Sequence, residues 1–163
     1  MGGMDQPGVT LRGMTEDEYR TYVHEVQATV VRELVASMPE EEARAKAAGG
    51  IAQYLPDGLA TPHHTLVVAE DATGAPVGNA WIGPDPQRAE GSGAAWLYDI
   101  NVHPHVRRRG YGSAILAEVE ALVRRNGMTT LGLNVVGSNV AAIALYGKHG
   151  YVVSTMQMSK RLQ

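Results

Sequence analysis

Leu97-Tyr98-Asp99-Ile100-Asn101-Val102 decides the fold when read together with the next two dozen residues. After His103-Pro104-His105-Val106 comes Arg107-Arg108-Arg109-Gly110-Tyr111-Gly112, and then Ser113-Ala114-Ile115-Leu116-Ala117-Glu118-Val119-Glu120-Ala121-Leu122-Val123. The first run alternates as a strand does, and the last has the apolar spacing of an amphipathic helix. Between them stands a glycine-rich turn. Gly110 and Gly112 have no Cβ, so the turn can take positive φ and let a ligand approach the main chain. The turn opens a helix, whose first amides lack internal acceptors and whose dipole is positive at that end. Such a junction suits a phosphate-bearing ligand, and the arginines add charge that a diphosphate would attract. The bland alternative is an ordinary tight turn with a solvated arginine run.

The spacing narrows the phosphate ligand. A P-loop ends in Gly-Lys-Ser/Thr, but Gly112 is followed by Ser113-Ala114. A dinucleotide fingerprint needs a third glycine three positions on, where Ile115 stands.

Outward from this stretch the chain alternates regular elements. Val9-Thr10-Leu11-Arg12 reads as a short strand. Thr15-Glu16-Asp17-Glu18 is a capping box, and Tyr19, Tyr22, Val23, Val26, Val30 and Leu34 continue it as a helix to residue 36. A second helix begins near Pro39, with Ala43, Ala47, Ile51, Tyr54 and Leu55 on its apolar side, and Pro56-Asp57-Gly58 stops it. Residues 65–70 and 75–82 form a hairpin about Asp71-Ala72-Thr73-Gly74. Residues 83–93 read as a loop, 94–102 as a strand, 112–126 as a helix, 129–136 as a strand and 139–148 as a helix. Residues 150–162 are a final extended segment. The order is β-αα-βββ-α-β-α-β, an α/β (α+β) class with a mixed sheet and a strand–helix–strand crossover.

Composition sets the outer bounds. A chain of 163 residues, 44% hydrophobic and 19% charged, fits one globular domain. It is expected to run over residues 9–163 behind a loose tail at 1–8. The net charge of −3 argues against nucleic acid as the main partner. Absence of cysteine excludes disulfides, thiolate metal sites and a cysteine nucleophile. No run approaches the ~20 apolar residues of a membrane span, and the first residues lack the pattern of a signal peptide. The expected location is the cytoplasm, with no membrane partner. Phenylalanine is also absent, so seven tyrosines and two tryptophans supply the aromatic packing. Their polar tips need partners where buried.

Arg107-x-x-Gly110-x-Gly112 resembles the pyrophosphate signature of the GNAT superfamily of N-acetyltransferases, and Val102-His103-Pro104 resembles the Val-x-Pro that ends the preceding strand there. Further on, Asn139-Val140-Ala141-Ala142-Ile143-Ala144-Leu145-Tyr146-Gly147-Lys148-His149-Gly150-Tyr151 is similar to the family's Asn-x-x-Ala-x-x-Leu-Tyr-x-x-x-Gly-Phe, with Tyr151 in place of Phe. The likeness covers residues 66 to 163 well and the N-terminal part in outline. It implies the GNAT architecture, with a cofactor cleft opened by splayed central strands. It also implies acetyl-CoA as acyl donor, an amine of a small molecule or peptide as acceptor, and a homodimer.

The same resemblance implies roles. Ile100, Asn101 and Val102 would line the pantetheine arm, with the Ile100 amide facing the thioester oxygen. Arg107, Arg108, Arg109, Gly110, Tyr111, Gly112 and Ser113 would cradle the diphosphate. Asn139 and Tyr146 would touch the cofactor, and Tyr146 would be the general acid for the departing thiolate. A phenol of pKa about 10 is protonated at neutral pH and able to donate. Some family members carry a glutamate base where this chain has Asn134, which cannot accept a proton. Asp99 is the remaining candidate base, with a structural aspartate or a water chain as alternatives. By simple alternation its side chain points away from Tyr98 and Ile100. Asn139 has a second reading as a plain helix cap.

Gly58-Leu59-Ala60-Thr61-Pro62-His63-His64 resembles a segment of some bacterial GNAT proteins. Neighbouring histidines on an extended chain point apart, so no metal site is expected, and one of the two would reach the acceptor or order the loop. His24, His103, His105 and His149 read as surface or capping residues. Tyr22, Glu25 and Glu33 either bind a cationic amine or form the polar side of their helix. The acceptor site is expected among the first two helices and the loops at 56–64 and 83–93. A non-catalytic acyl-CoA-binding module is the alternative from another class, and a nucleotide-binding domain of different fold is a third.

Overall fold

Thr15 starts the first helix as its sequence predicts. Its Oγ1 accepts from the Glu18 amide at 3.3 Å, and Glu18 Oε2 accepts from the Thr15 amide at 2.8 Å, so two otherwise orphaned donors are satisfied. The computed structural model describes residues 5–163. The first four positions of the expected loose tail lie outside the described residues, and residues 5–8 carry no regular structure. The chain divides into two compact units, Met1–Leu133 and Asn134–Gln163.

The first unit holds β1 (Thr10–Gly13), α1 (Glu16–Leu34), α2 (Glu40–Tyr54), β2 (Thr65–Glu70), β3 (Pro76–Pro84), β4 (Ala94–Val102), α3 (Tyr111–Arg125) and β5 (Thr130–Leu133). The sheet runs β1-β2-β3-β4-β5 in chain order. Its first three pairings are antiparallel and β4–β5 is parallel. A parallel neighbour requires a crossover, and α3 supplies it.

Alternation sorts the side chains between two layers. Leu66 and Val68 of β2 and Trp81 of β3 face α1 and α2, where they pack with Met14, Tyr22, Ile51 and Leu55. Ala43, Ala47 and Ile51 form the buried stripe of α2 as their spacing predicts. The opposite face carries α3, whose Ile115, Leu116 and Val119 are fully buried. Each such aliphatic side chain contributes about 1.5–3 kcal/mol on leaving water. Gly78 lies on this face, and a Cβ there would strike the Asn101 carbonyl and Ile115 Cδ1, so β3 and β4 approach α3 through a bare backbone.

One irregularity matters for function. Ile82 pairs with Leu97 and Trp81 pairs with Asp99, so Tyr98 has no partner across the ladder. It is a β-bulge, which breaks the alternation of β4. The parallel ladder with β5 covers only Ala94–Leu97. From Tyr98 to Val102, therefore, β4 has no ladder partner on that side among the described strands.

The second unit holds α4 (Val140–Lys148). The strand expected at 129–136 stops at Leu133, and residues 151–163 form neither strand nor helix. A strand needs a ladder to persist, and no described element pairs with these residues. The element order therefore reaches β-αα-βββ-α-β-α.

Candidate functional site

The glycine turn is built as its residues suggest. Gly110 is the N-terminal cap residue of α3 with φ of 86°, and Arg108 also sits at positive φ, 65°. The first bond of the helix runs from the Ala114 amide to the Gly110 carbonyl at 3.2 Å, so the amides of residues 111–113 precede it. Arg107, Arg108, Arg109 and Gly110 are exposed, and Tyr111, Gly112 and Ser113 are half-buried. Arg107 Nε donates to the Val102 carbonyl at 3.1 Å, which ties the turn to the end of β4. Pro7 lies beside Gly110, 3.2 Å from where a Cβ would stand. The turn thus presents main-chain amides, guanidinium groups and a helix N-terminus together, a donor set that fits a diphosphate.

Ile100, Asn101 and Val102 lie on β4 beyond the end of β5 and are half-buried. Ile100 pairs with Ala80 on the α3 side, as alternation requires. Asp99 lies opposite Trp81 and faces α1. Tyr98 faces the same way, since its ring stacks on Trp81 at 4.7 Å. This corrects the expectation that Asp99 points away from Tyr98. The bulge supplies the extra half-step that strict alternation omits.

Asp99 Oδ2 accepts from the Tyr22 hydroxyl at 2.8 Å and from Asn101 Nδ2 at 3.3 Å. Burial pushes its pKa up, and these hydrogen bonds, with one from the Ile100 amide, pull the other way without cancelling it. The Tyr22 phenol is pushed up by its own burial and by the neighbouring carboxylate. Tyr22 is only 2% exposed, so it belongs neither to a polar helix face nor to an open amine site. Its periodicity placed it in the core, but its partner lies far along the chain. Glu25 and Glu33 are exposed.

His63 and His64 point apart. His63 Nε2 reaches Glu90 at 3.7 Å in an exposed pair, and His64 Nδ1 accepts from Trp81 Nε1 at 3.0 Å. His103 stacks on His105 at 5.9 Å, and burial pushes the His103 pKa down. No metal-binding group of three or more side chains occurs among the described residues.

In the second unit, Asn139 Oδ1 accepts from the Ala142 amide at 3.2 Å and caps α4. Tyr146 is half-buried on the same helix, its ring 5.7 Å from that of Tyr151.

Sequence reasoning missed the ring cluster of Tyr54, His64, Trp81 and Tyr98. Gly83, read as the start of a loop, lies inside β3, and a glycine inside a strand marks a close approach. A Cβ there would lie 2.6 Å from His64 Cε1 and 2.9 Å from Tyr98 Cε2.

The sequence profile described as the Acetyltransferase (GNAT) family matches residues 20–151, and the chain belongs to that family. It is 29% identical to YycN of Bacillus subtilis (strain 168), described as an uncharacterized N-acetyltransferase, over 94% of this chain and 99% of that one. The crystal structure of the B. subtilis YycN putative acetyltransferase superposes with a TM-score of 0.84 over 95% of this chain and 99% of that chain. The [ribosomal protein bS18]-alanine N-acetyltransferase of Escherichia coli (strain K12) is 40% identical over 39% of this chain and 43% of its own length. The PaiA N-acetyltransferase of Thermoplasma acidophilum, solved in complex with coenzyme A, shares the fold with a TM-score of 0.66 at 14% identity, over 92% of this chain and 93% of that one. Among the described residues no helix is long and apolar enough to cross a membrane.

Proposed function

We propose that this chain is an acetyl-CoA-dependent N-acetyltransferase that acylates a primary amine by direct attack on the thioester. The observation that carries the reading is the turn at 107–113, exposed at 107–110, beside a β4 edge that β5 leaves unpaired beyond Leu97. A diphosphate suits the turn, and the amides of a pantetheine arm suit an open strand edge. The coenzyme A bound to the T. acidophilum relative agrees with this assignment.

Acetyl-CoA supplies an activated carbonyl, and the protein handles charge and protons around it. The Ile100 amide, which in this structure faces the Asp99 carboxylate, is assigned to the carbonyl oxygen when the thioester is bound, where one good donor is worth about 2.7–4 kcal/mol. Asp99 is assigned the proton of the attacking amine. Its raised pKa makes it a stronger base than an ordinary carboxylate. Tyr146 is assigned the proton that the sulfur takes as the C–S bond breaks. It holds the motif position for that role, seven residues after Asn139.

Asn134, at the position of the family's glutamate, favours a second reading as an acyl-CoA-binding module without catalysis. Calorimetry with acetyl-CoA, together with thiol release across an amine panel, separates the readings. Binding with turnover supports the transferase. Binding without turnover on any amine supports the module, and no coenzyme uptake overturns both.

A further inference from the structure

Four rings close against one another on the α1/α2 side of the sheet. Trp81 and Tyr98 stack with planes 15° apart. Tyr54 lies 5.2 Å from Tyr98 and meets Trp81 edge-on at 6.3 Å. His64 lies 5.3 Å from Tyr98 and 6.0 Å from Trp81. Trp81 is buried, whereas Tyr54, His64 and Tyr98 are half-buried.

The polar tips of this wall are committed to the protein. The Tyr98 hydroxyl donates to the Pro84 carbonyl at 2.7 Å, and the Trp81 indole donates to His64 Nδ1 at 3.0 Å. An indole nitrogen only donates, so His64 Nδ1 carries no proton and the neutral ring holds its proton on Nε2. Charging the ring would set a second N–H against the indole and break that bond. Burial and the adjacent His63 also push the His64 pKa down. The wall is therefore uncharged.

Carboxylates flank it. Asp99 is the ladder partner of Trp81, and Asp85 lies close enough to Tyr98 to help hold its phenol protonated. Asp85 Oδ1 accepts from the Gln87 amide at 2.8 Å, and Arg88 approaches the carboxylate only at 3.8 Å through an exposed side chain. Electron-rich rings with carboxylates on neighbouring residues complement a cation.

Resting on the acyltransferase reading, we propose that the Tyr54–His64–Tyr98 face is the acceptor subsite and takes an alkylammonium, a primary amine on an aliphatic chain. The rings hold the charged form, and the amine then passes its proton to Asp99 before attack.

The test reads binding without turnover. n-Butylammonium and its uncharged counterpart 1-butanol are titrated into the protein at pH 7 while the indole N–H resonance of Trp81 is followed. The expected result is a saturable shift with n-butylammonium and none with 1-butanol at equal concentration. Tyr98→Leu and Tyr54→Leu are each expected to weaken n-butylammonium at least tenfold. Tyr54 sits at the end of α2, so its variant keeps the test decisive if Tyr98→Leu does not fold. No shift with n-butylammonium, equal shifts with both probes, or unchanged affinity in Tyr54→Leu would overturn the subsite. Acetyl-CoA is titrated separately. Coenzyme uptake without n-butylammonium binding sinks only this inference, whereas absence of uptake sinks the transferase reading and leaves the wall to be judged on the amine titration.

Discussion

Asp99 carries opposing influences at a single carboxylate. Burial drives it toward the neutral acid, while Tyr22, Asn101 and the Ile100 amide stabilise the anion. Its folded pKa lies above the ordinary 3.8, so an amine-transfer rate that needs the anion should fall as pH drops through that raised value. Asp99→Asn is expected to lower kcat by about 10²–10⁴-fold and to abolish this acid limb while coenzyme affinity holds. Tyr22→Phe removes a hydrogen bond that favours the anion, so the limb should move to higher pH. An unmoved limb would mean that another group sets it. Tyr146→Phe keeps the ring and removes the proton, and kcat should fall more than coenzyme affinity does. Unchanged kcat would reject the acid role.

Elements position these residues, and glycines show how tightly. Gly110 holds φ of 86° at the start of α3, a region where a Cβ costs roughly 1–2 kcal/mol. Gly110→Ala should therefore destabilise the fold by about that amount and weaken acetyl-CoA binding, as read by calorimetry. Gly83→Ala drives a methyl into His64 and Tyr98, and a loss of about 1–3 kcal/mol is expected in chemical denaturation. The elements themselves were legible because their signals are local. The Thr15–Glu18 box, the apolar stripe of α2, the Asp71–Gly74 turn and the glycine pair before α3 each act within a few residues. The bulge at Tyr98 was not legible, because register is a property of two strands and alternation along one cannot reveal an inserted residue. The strand expected beyond Leu133 failed for a related reason: β-propensity without a pairing partner leaves no ladder.

At the scale of the whole molecule, the contacts that define the site join distant parts of the chain. Tyr22 reaches Asp99 across 77 positions, and His64 meets Trp81 across 17. Residue types suggested that buried tyrosines and tryptophans would seek partners, but only the folded topology selects which ones. The same holds for acid stability. Arg12 of β1 pairs with Glu18 of α1 and Glu70 of β2, so one guanidinium ties three elements. Its hydrogen bond to Glu18, joined by that of Thr15, holds the Glu18 pKa down to about 2 against an ordinary 4.5. The folded value lies below the unfolded one. The stabilisation is therefore present in full above about pH 4.5 and is lost as pH falls toward 2. Asp99 has the opposite sign: its folded pKa is raised, so it favours the folded state more as pH falls into the same range. Glu18→Gln keeps an oxygen for the Thr15 amide and removes the charge. In urea titrations at pH 5 and pH 3, the wild-type midpoint should fall more than that of Glu18→Gln, while Asp99→Asn should fall more than wild type. Equal falls in wild type and Glu18→Gln would show that the Arg12 network contributes nothing to acid sensitivity.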